Sequence, residues 1–185
     1  HWTFPAKRWR HAFYIVGLVG LNELVQIHLG SQLHETPEAL EFGLKVVEYL
    51  HNEIQRWSVE KGIKFVLEQS PAETTAYRFA RLDLKYHSPA AGRYVKGNIA
   101  EGAVYYTNSI HLAADAPATL VERIREQSKY HCMIESGAIV HAFVGEEDPS
   151  ADSIMRLVLE TFKATQCAQL TISPEFTYCP ECYHQ

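Results

Sequence analysis

Hydrophobic residues alternate along the chain between short continuous runs and stretches with helical spacing. An apolar run over Ala12 to Leu21 predicts a buried strand, and the next residues have helical spacing that Gly30 would end. A second, longer helix is predicted from Thr36-Pro37-Glu38 to Gly62. Threonine is a good N-cap, proline fits the first turn and glycine favours the C-terminal end.

The same alternation continues through the rest of the chain. A strand is predicted over Ile63 to Leu67, followed by a turn at Ser70-Pro71-Ala72-Glu73 and a helix that stops near His87-Ser88-Pro89. Further strands are predicted over 104–112, 138–144 and 168–172, helices over 118–130 and 149–165, and a loop over 87–103. The residues expected to pack the helix after the turn are Tyr77, Phe79, Ala80, Leu82 and Leu84. Strands alternating with helices indicate an α/β fold with about five mainly parallel strands.

Composition narrows the class of protein without naming it. The 185 residues are 46% hydrophobic and 21% charged, which is typical of one globular domain. The longest apolar run is about half of a membrane span, so no contact with a membrane is expected. The net charge of −5 and the scattered basic residues argue against nucleic-acid binding. The amino end lacks a start methionine and a targeting pattern, which favours an interior segment of a longer protein.

The four cysteines, Cys132, Cys167, Cys179 and Cys182, are too few and too unevenly spaced for a secreted disulfide framework, which favours a reducing, cytoplasmic compartment. The last two form Cys179-Pro180-Glu181-Cys182, a spacing that lets both sulfurs reach one tetrahedral zinc ion. The pair supplies half a site, which His184 and a remote residue, or a second such pair beyond Gln185, would complete. A redox dithiol or unmetallated cysteines are the alternatives.

Two other segments carry candidate ligand-binding groups. Ser70 to Thr75 opens a helix after a strand, so free backbone N–H groups and the hydroxyls of Ser70, Thr74 and Thr75 could hold an anion such as phosphate. Glu73 opposes an anion and fits ordinary helix capping instead. Tyr105-Tyr106-Thr107-Asn108-Ser109 lies at the carboxyl half of a predicted strand, where α/β proteins bind ligands, or is an aromatic strand that turns at Asn108. Histidines such as His111, His131 and His141 are expected to be satisfied or at the surface.

Taken together and in order, four segments resemble the anaerobic ribonucleoside-triphosphate reductases. These segments are Gly17-Leu18-Val19-Gly20-Leu21-Asn22-Glu23, Ser70-Pro71-Ala72-Glu73, Tyr105-Tyr106-Thr107-Asn108-Ser109, and Ser173-Pro174-Glu175-Phe176-Thr177-Tyr178-Cys179-Pro180-Glu181-Cys182. The resemblance implies a glycyl-radical enzyme built on a ten-stranded α/β barrel. Residues 1–172 would form part of the carboxyl-terminal half of that barrel, and residues 173–185 would begin a truncated zinc-binding tail.

The resemblance also implies a function and a set of site residues. The complete enzyme would reduce ribonucleoside triphosphates to deoxyribonucleotides by radical chemistry, with zinc bound at Cys179 and Cys182. The implied substrate-binding residues are Ser70, Glu73, Thr74, Thr75, Asn108 and Ser109. The partners implied are the remainder of the reductase and a radical-generating activase, with a homodimer as a further expectation.

The catalytic radical groups of that family are not found in this sequence. The cysteine that becomes the thiyl radical lies upstream of the matched region, and no glycine follows Gly145 to serve as the glycyl radical. We therefore expect a fragment or split subunit that is inactive alone. The alternative hypothesis is a non-catalytic α/β module that binds a nucleotide or a metal.

Overall fold

The computed structural model describes residues 12–145 and 149–173 of the chain. Within these ranges the chain forms six strands and five α-helices, with single 3₁₀ turns at Ala91–Arg93 and His131–Met133. The strands are β1 Phe13–Gly17, β2 Lys64–Glu68, β3 Lys96–Asn98, β4 Ala103–Tyr105, β5 Val140–Phe143 and β6 Leu170–Ser173. The helices are α1 Leu21–Leu29, α2 Pro37–Lys61, α3 Glu73–His87, α4 Leu120–Ser128 and α5 Ala151–Ala164.

The strands are arranged as three pairs. Strand β1 is parallel to β2, with Phe13 opposite Lys64, and β5 is parallel to β6, with Val140 opposite Leu170. Helices lie between the partners of both parallel pairs, as a parallel connection requires. The structure therefore confirms the predicted α/β class for these four strands.

Helix α2 follows its sequence signals closely. The Thr36 side chain accepts a hydrogen bond from the Ala39 N–H, Pro37 occupies the first turn, and Gly62 ends the helix with a φ of 62°. The positive φ at Gly62 is a conformation that residues with a side chain adopt at a cost. Gly30 ends α1 in the same way, with a φ of 76°.

The main core lies between α1, α2 and the segment that follows β4. Val25, Val47, Ile54, Leu67 and Ile110 are fully or almost fully buried in it. The core therefore attaches α1, α2 and β2 to the residues near Ile110, and this packing fixes the position of the turns at the ends of β1 and β2.

Four expectations from the sequence were wrong in detail. The strand predicted to be buried over Ala12 to Leu21 ends at Gly17, and its residues Phe13 to Ile15 are exposed. The strand predicted over 104–112 ends at Tyr105, and the loop predicted over 87–103 contains β3 and part of an antiparallel hairpin. Helix α3 packs through Ala76 and Ala80, whereas Tyr77, Phe79 and Leu82 are exposed. Small residues let α3 lie close to β4, which leaves its larger aromatic side chains on the outer surface.

Candidate functional site

Three turns meet at the carboxyl ends of β1 and β2. The first joins β1 to α1, the second joins β2 to α3, and the third is the segment 105–111 after β4. The Gly20 N–H donates to the Thr107 carbonyl at 3.0 Å, and the Leu21 N–H donates to the Ser109 carbonyl at 3.3 Å. The start of α1 is therefore bound directly to the third turn.

A buried carboxylate strengthens this connection. Glu23 in α1 accepts hydrogen bonds from the Thr107 N–H at 3.0 Å and from the Thr107 hydroxyl at 2.5 Å. Both residues are almost completely buried. A polar group held away from water needs such hydrogen-bond partners, so Glu23 fixes the third turn against α1. Glu23 ends the segment Gly17 to Glu23 noted in the sequence, but its role as a buried acceptor was missed because its donor, Thr107, is distant in the sequence.

Asn108 joins the third turn to the start of α3. Its side-chain oxygen accepts from the Ala72 N–H at 3.1 Å, and its side-chain nitrogen donates to the Glu73 carboxylate at 3.1 Å. The structure therefore brings Asn108 and Glu73, two of the predicted site residues, into contact.

The first turn of α3 keeps free hydrogen-bond donors. The first helical bond runs from the Ala76 N–H to the Ala72 carbonyl, and the N-cap residue Ala72 provides no side-chain cap of its own, while its N–H donates to the Asn108 side chain. The N–H groups of Glu73, Thr74 and Thr75 have no acceptor among residues 12–145 and 149–173. Glu73 and Thr74 are exposed and Thr75 is half-buried. Free donors and the positive end of the helix dipole favour an anion at this position.

Ser70 belongs to the same turn and lies next to the end of β1. A Cβ placed on Gly17 would lie 1.7 Å from the Ser70 hydroxyl oxygen, so the absence of a side chain at Gly17 makes room for Ser70. The hydroxyl also lies 3.5 Å from the Glu68 carboxylate. In this structure Ser70 therefore packs the two strand ends together, and none of its recorded contacts is to Thr74 or Thr75.

Ser109 adopts a backbone conformation that is unusual for a residue with a side chain. Its φ is 45°, its side chain is fully buried, and its hydroxyl has no hydrogen-bond partner among the described residues. Its carbonyl is used by α1, as described above. Its recorded contacts are therefore to α1, whereas those of Asn108 are to α3.

The two tyrosines of the segment have structural partners. The Tyr106 hydroxyl donates to the Asp83 carboxylate of α3 at 2.8 Å. Burial, followed by this bond to a carboxylate, raises the pKa of Tyr106 above its usual value. Burial also raises the pKa of Tyr105. Both phenols remain protonated near neutral pH, and Tyr106 braces α3 from its inner side.

His111, which no sequence motif singled out, contacts residues next to these turns. The His111 ring is within hydrogen-bond distance of Gln69 at the end of β2 and of Gln127 in α4, with a nitrogen-to-nitrogen distance of 2.6 Å to Gln69. Its ring centroid lies 5.9 Å from that of His141 in β5. Burial lowers the pKa of His111 below its ordinary value, so the ring is neutral near pH 7.

The predicted zinc ligands belong to the tail of the chain. Cys179 and Cys182 lie outside the described residues. Within those residues, no three His, Cys, Asp or Glu side chains form a group that could hold a metal ion. The helices described here are also too short or too polar to cross a membrane.

A parallel α/β unit that gathers polar groups at the carboxyl ends of its strands is typical of ligand-binding and catalytic domains. The sequence model of the anaerobic ribonucleoside-triphosphate reductases matches residues 5–185. The chain therefore belongs to the anaerobic ribonucleoside-triphosphate reductase family.

Curated relatives of that name match part of the chain. The Salmonella typhimurium protein is 28% identical over 127 residues, which are 68% of this chain and 17% of the relative. The enterobacteria phage T4 protein is 27% identical over 124 residues, 67% of this chain and 18% of the relative. The chain thus spans about a sixth of the length of these enzymes.

Solved structures show the same fold. An anaerobic ribonucleotide reductase superposes with a TM-score of 0.69 at 19% identity, over 94% of this chain and 28% of the other. The Thermotoga maritima enzyme in complex with dATP and CTP gives a TM-score of 0.68 at 19% identity, over 92% of this chain and 27% of that one. These structures are of the glycyl-radical barrel type, as the sequence led us to expect.

Proposed function

We propose that this chain is the part of an anaerobic ribonucleotide reductase that binds the triphosphate of a ribonucleoside triphosphate at the start of α3. The observation that carries the proposal is the set of three N–H groups, on Glu73, Thr74 and Thr75, that have no acceptor in the described structure. The complete enzyme would reduce the nucleotide to a deoxyribonucleotide by radical chemistry.

The chemistry of the site suits a phosphate chain better than an uncharged ligand. Three N–H donors in the first turn of a helix and the two threonine hydroxyls can each donate to a phosphate oxygen. Asn108 fixes the turn and, through its bond to Glu73, holds that carboxylate at one position. A related enzyme from Thermotoga maritima has been solved in complex with dATP and CTP, which supports a nucleotide as the ligand.

The role of this chain would be to bind and orient the substrate. The radical-bearing groups of the family would come from the remainder of the reductase, which an activase would convert to its radical form. Asn108 and Glu23 would then hold the phosphate-binding turn in a fixed position relative to β1 and α1. A fixed position matters because misplacing a substrate by about 1 Å costs on the order of 100-fold in rate.

Cys179 and Cys182 are proposed as two of the four ligands of a structural zinc ion. The support is chemical: two thiolates at this spacing fit one tetrahedral zinc, and each must lose a proton to bind. Zinc would order the tail by crosslinking it, which gives the metal a structural rather than a catalytic role here.

The function is tested by calorimetric titration of the 185-residue chain with inorganic triphosphate. Replacing Thr74 and Thr75 together by alanine should weaken binding at least tenfold, because one hydrogen bond to a charged group contributes about 1.5–3 kcal/mol and about 1.4 kcal/mol corresponds to a tenfold change. Thr119→Ala is the matched control, since Thr119 caps the start of α4 with its own side chain. The control should bind as the natural chain does. Equal affinity of the natural chain and the double variant would contradict the role of the two hydroxyls, and no binding by any of the three proteins would contradict the proposed function.

A further inference from the structure

Gln69 has an amide whose orientation is set by its neighbours. Its side-chain oxygen accepts from the Ile139 N–H, and its side-chain nitrogen donates to the Ile139 carbonyl at 3.1 Å. A backbone N–H can only donate and a carbonyl can only accept, so turning the amide over would oppose both bonds. The Gln69 nitrogen is therefore the donor towards everything else that it contacts.

The orientation of the Gln69 amide determines which nitrogen of the His111 ring carries the proton. The Gln69 nitrogen lies 2.6 Å from His111 Nε2, so Nε2 is the acceptor and carries no proton. The proton of the neutral ring is then on Nδ1, which donates to the side-chain oxygen of Gln127. The network runs from α4 through His111 to the end of β2 and on to the residue before β5.

The backbone of His111 connects its fixed ring to the turn over residues 108–111. Its N–H donates to the Asn108 carbonyl at 3.0 Å and closes the turn over residues 108–111. The Asn108 side chain in turn contacts Ala72 and Glu73 at the start of α3. The His111 ring and the α3 donors are thus connected through a single turn of four residues.

We propose that His111, as the neutral ring with its proton on Nδ1, is a positioning residue that holds Asn108 against the first turn of α3 and so sets the affinity for the triphosphate. The inference rests on the proposed function, because it assigns a role in that same site. His111 itself has no recorded contact with α3 through its ring, and it acts through the 108–111 turn.

A proton on Nε2 would oppose this arrangement, because two donors would then face each other between His111 and Gln69. The charged and titratable groups around the ring are His141 in β5, His131 in the turn after α4, Arg123 in α4 and Glu73 in α3. Burial, His141 and Arg123 disfavour a positive charge on His111, whereas the bond to Gln127 and the Glu73 carboxylate favour it. Acidification should therefore release Asn108 and weaken binding at the start of α3.

The first measurement determines the protonation of His111 in the free chain by ¹⁵N and ¹³C NMR of the imidazole. We expect a proton on Nδ1 alone at pH 7. A proton on Nε2 at that pH would overturn the proposal, and this result does not depend on whether any phosphate binds.

The second measurement uses two variants that each keep one of the ring's bonds. His111→Gln can place an oxygen where Nε2 accepts from Gln69, and His111→Asn can place an N–H where Nδ1 donates to Gln127. The titrant is inorganic triphosphate, from pH 7.5 to pH 5. Its own protonation changes the affinity of every protein in the series, so the comparison between variants isolates the effect of His111. His28→Asn, at an exposed position of α1, is the control.

We expect the affinity of the natural chain to fall about tenfold more than that of His111→Gln over this pH range, because His111→Gln cannot take up the proton. His111→Asn should bind about tenfold more weakly at pH 7.5, and the Ala72 amide signal should move in that variant without ligand. Identical pH profiles in the natural chain and His111→Gln would overturn the inference.

Failure of the proposed function would be distinguishable. If no protein in the series bound triphosphate, the function would be wrong. The pH-dependent shift of the Ala72 amide in the natural chain, absent from His111→Gln, would still decide whether His111 positions Asn108.

Discussion

The Asn108 side chain and the Ala72 N–H are joined by a 3.1 Å hydrogen bond across a sequence separation of 36 residues. This bond caps α3 from a different segment, because α3 begins after Ala72 and has no cap from its own sequence. The start of the helix is therefore held by the turn that follows β4, and the geometry of the candidate site depends on that turn.

Replacing Asn108 should affect stability and binding together. Asn108→Ala removes the acceptor for Ala72 and the donor to Glu73, and loss of such a cap costs about 1 kcal/mol. Asn108→Asp keeps the acceptor but places a second carboxylate beside Glu73. In triphosphate titrations we expect both variants to bind more weakly, with Asp the weaker of the two. If ordinary capping is the whole role of Asn108, chemical unfolding should show the larger loss of stability for Asn108→Ala, because Asn108→Asp keeps the acceptor for the Ala72 N–H.

Gly17 and Ser70 should behave as a coupled pair. Gly17→Ala would place a Cβ 1.7 Å from the Ser70 hydroxyl oxygen, and we expect a destabilisation of about 1–3 kcal/mol from overpacking. Ser70→Gly removes the obstructing atoms, so the double variant should recover part of that loss. The control is Gly92→Ala, where the nearest atom to a Cβ is 3.9 Å away. Additive effects in urea unfolding would show that the two sites are not in contact.

The pattern of the sequence predicted the elements whose causes are local. Thr36, Pro37 and Gly62 specify α2 by capping rules that act within one turn, and Gly30 ends α1 for the same reason. The end of β4 at Tyr105 could not be predicted, because the Thr107 and Ser109 carbonyls accept bonds from the start of α1 instead of from a strand.

In the candidate site, too, the sequence predicted only those features that neighbouring residues determine. Thr74 and Thr75 were selected correctly as residues of a helix start, since a strand, a turn and a helix follow one another there. His111 was not selected, because its partners Gln69 and Gln127 lie 42 and 16 residues away. The packing of Ser70 against Gly17 was not predicted, because this contact depends on the pairing of β1 with β2.

Because His131 is buried, we expect the folded chain to lose stability in acid. Burial, with a smaller contribution from His111, lowers its pKa from 6.5 to about 4 in the folded chain. The unfolded chain takes up the proton first, so the free energy of unfolding should fall as the pH decreases from about 6.5 to about 4. In the natural chain the Ala168 N–H donates a hydrogen bond to His131 Nδ1 at 2.9 Å. The side-chain oxygen of His131→Asn can replace that acceptor. Urea unfolding at a series of pH values should show a shallower pH dependence for this variant.

One face of β1 should bind a hydrophobic dye. Phe13 and Ile15 alternate along the strand and are 55% and 48% exposed. If the chain is part of a larger barrel, the remaining strands would cover this face, and the chain alone should self-associate or bind the dye. Replacing both residues by threonine should reduce dye fluorescence, whereas Val59→Thr on α2 should not. A monomer that sediments normally at high concentration and binds no dye would contradict the partial-barrel interpretation.

We expect Cys179 and Cys182 to bind zinc weakly and in a pH-dependent manner. Two thiolates complete half of a tetrahedral site, and both must be deprotonated, so the chain should retain well under one zinc ion after dialysis against a mild chelator. Cys179→Ser should abolish the residual zinc, whereas Cys132→Ser, at an exposed position in the turn after α4, should leave it unchanged. Stoichiometric zinc that survives Cys179→Ser would show that other residues are the ligands.

The binding of triphosphate at the start of α3 is tested most directly by the backbone amide spectrum of the 185-residue chain during titration with inorganic triphosphate. The account predicts that the amide signals of Glu73, Thr74 and Thr75 shift first and furthest. The starts of α2 and α4 are capped by Thr36 and Thr119 and should not respond. Shifts confined to those helices or to another region, with the α3 amides unchanged at saturation, would contradict the account.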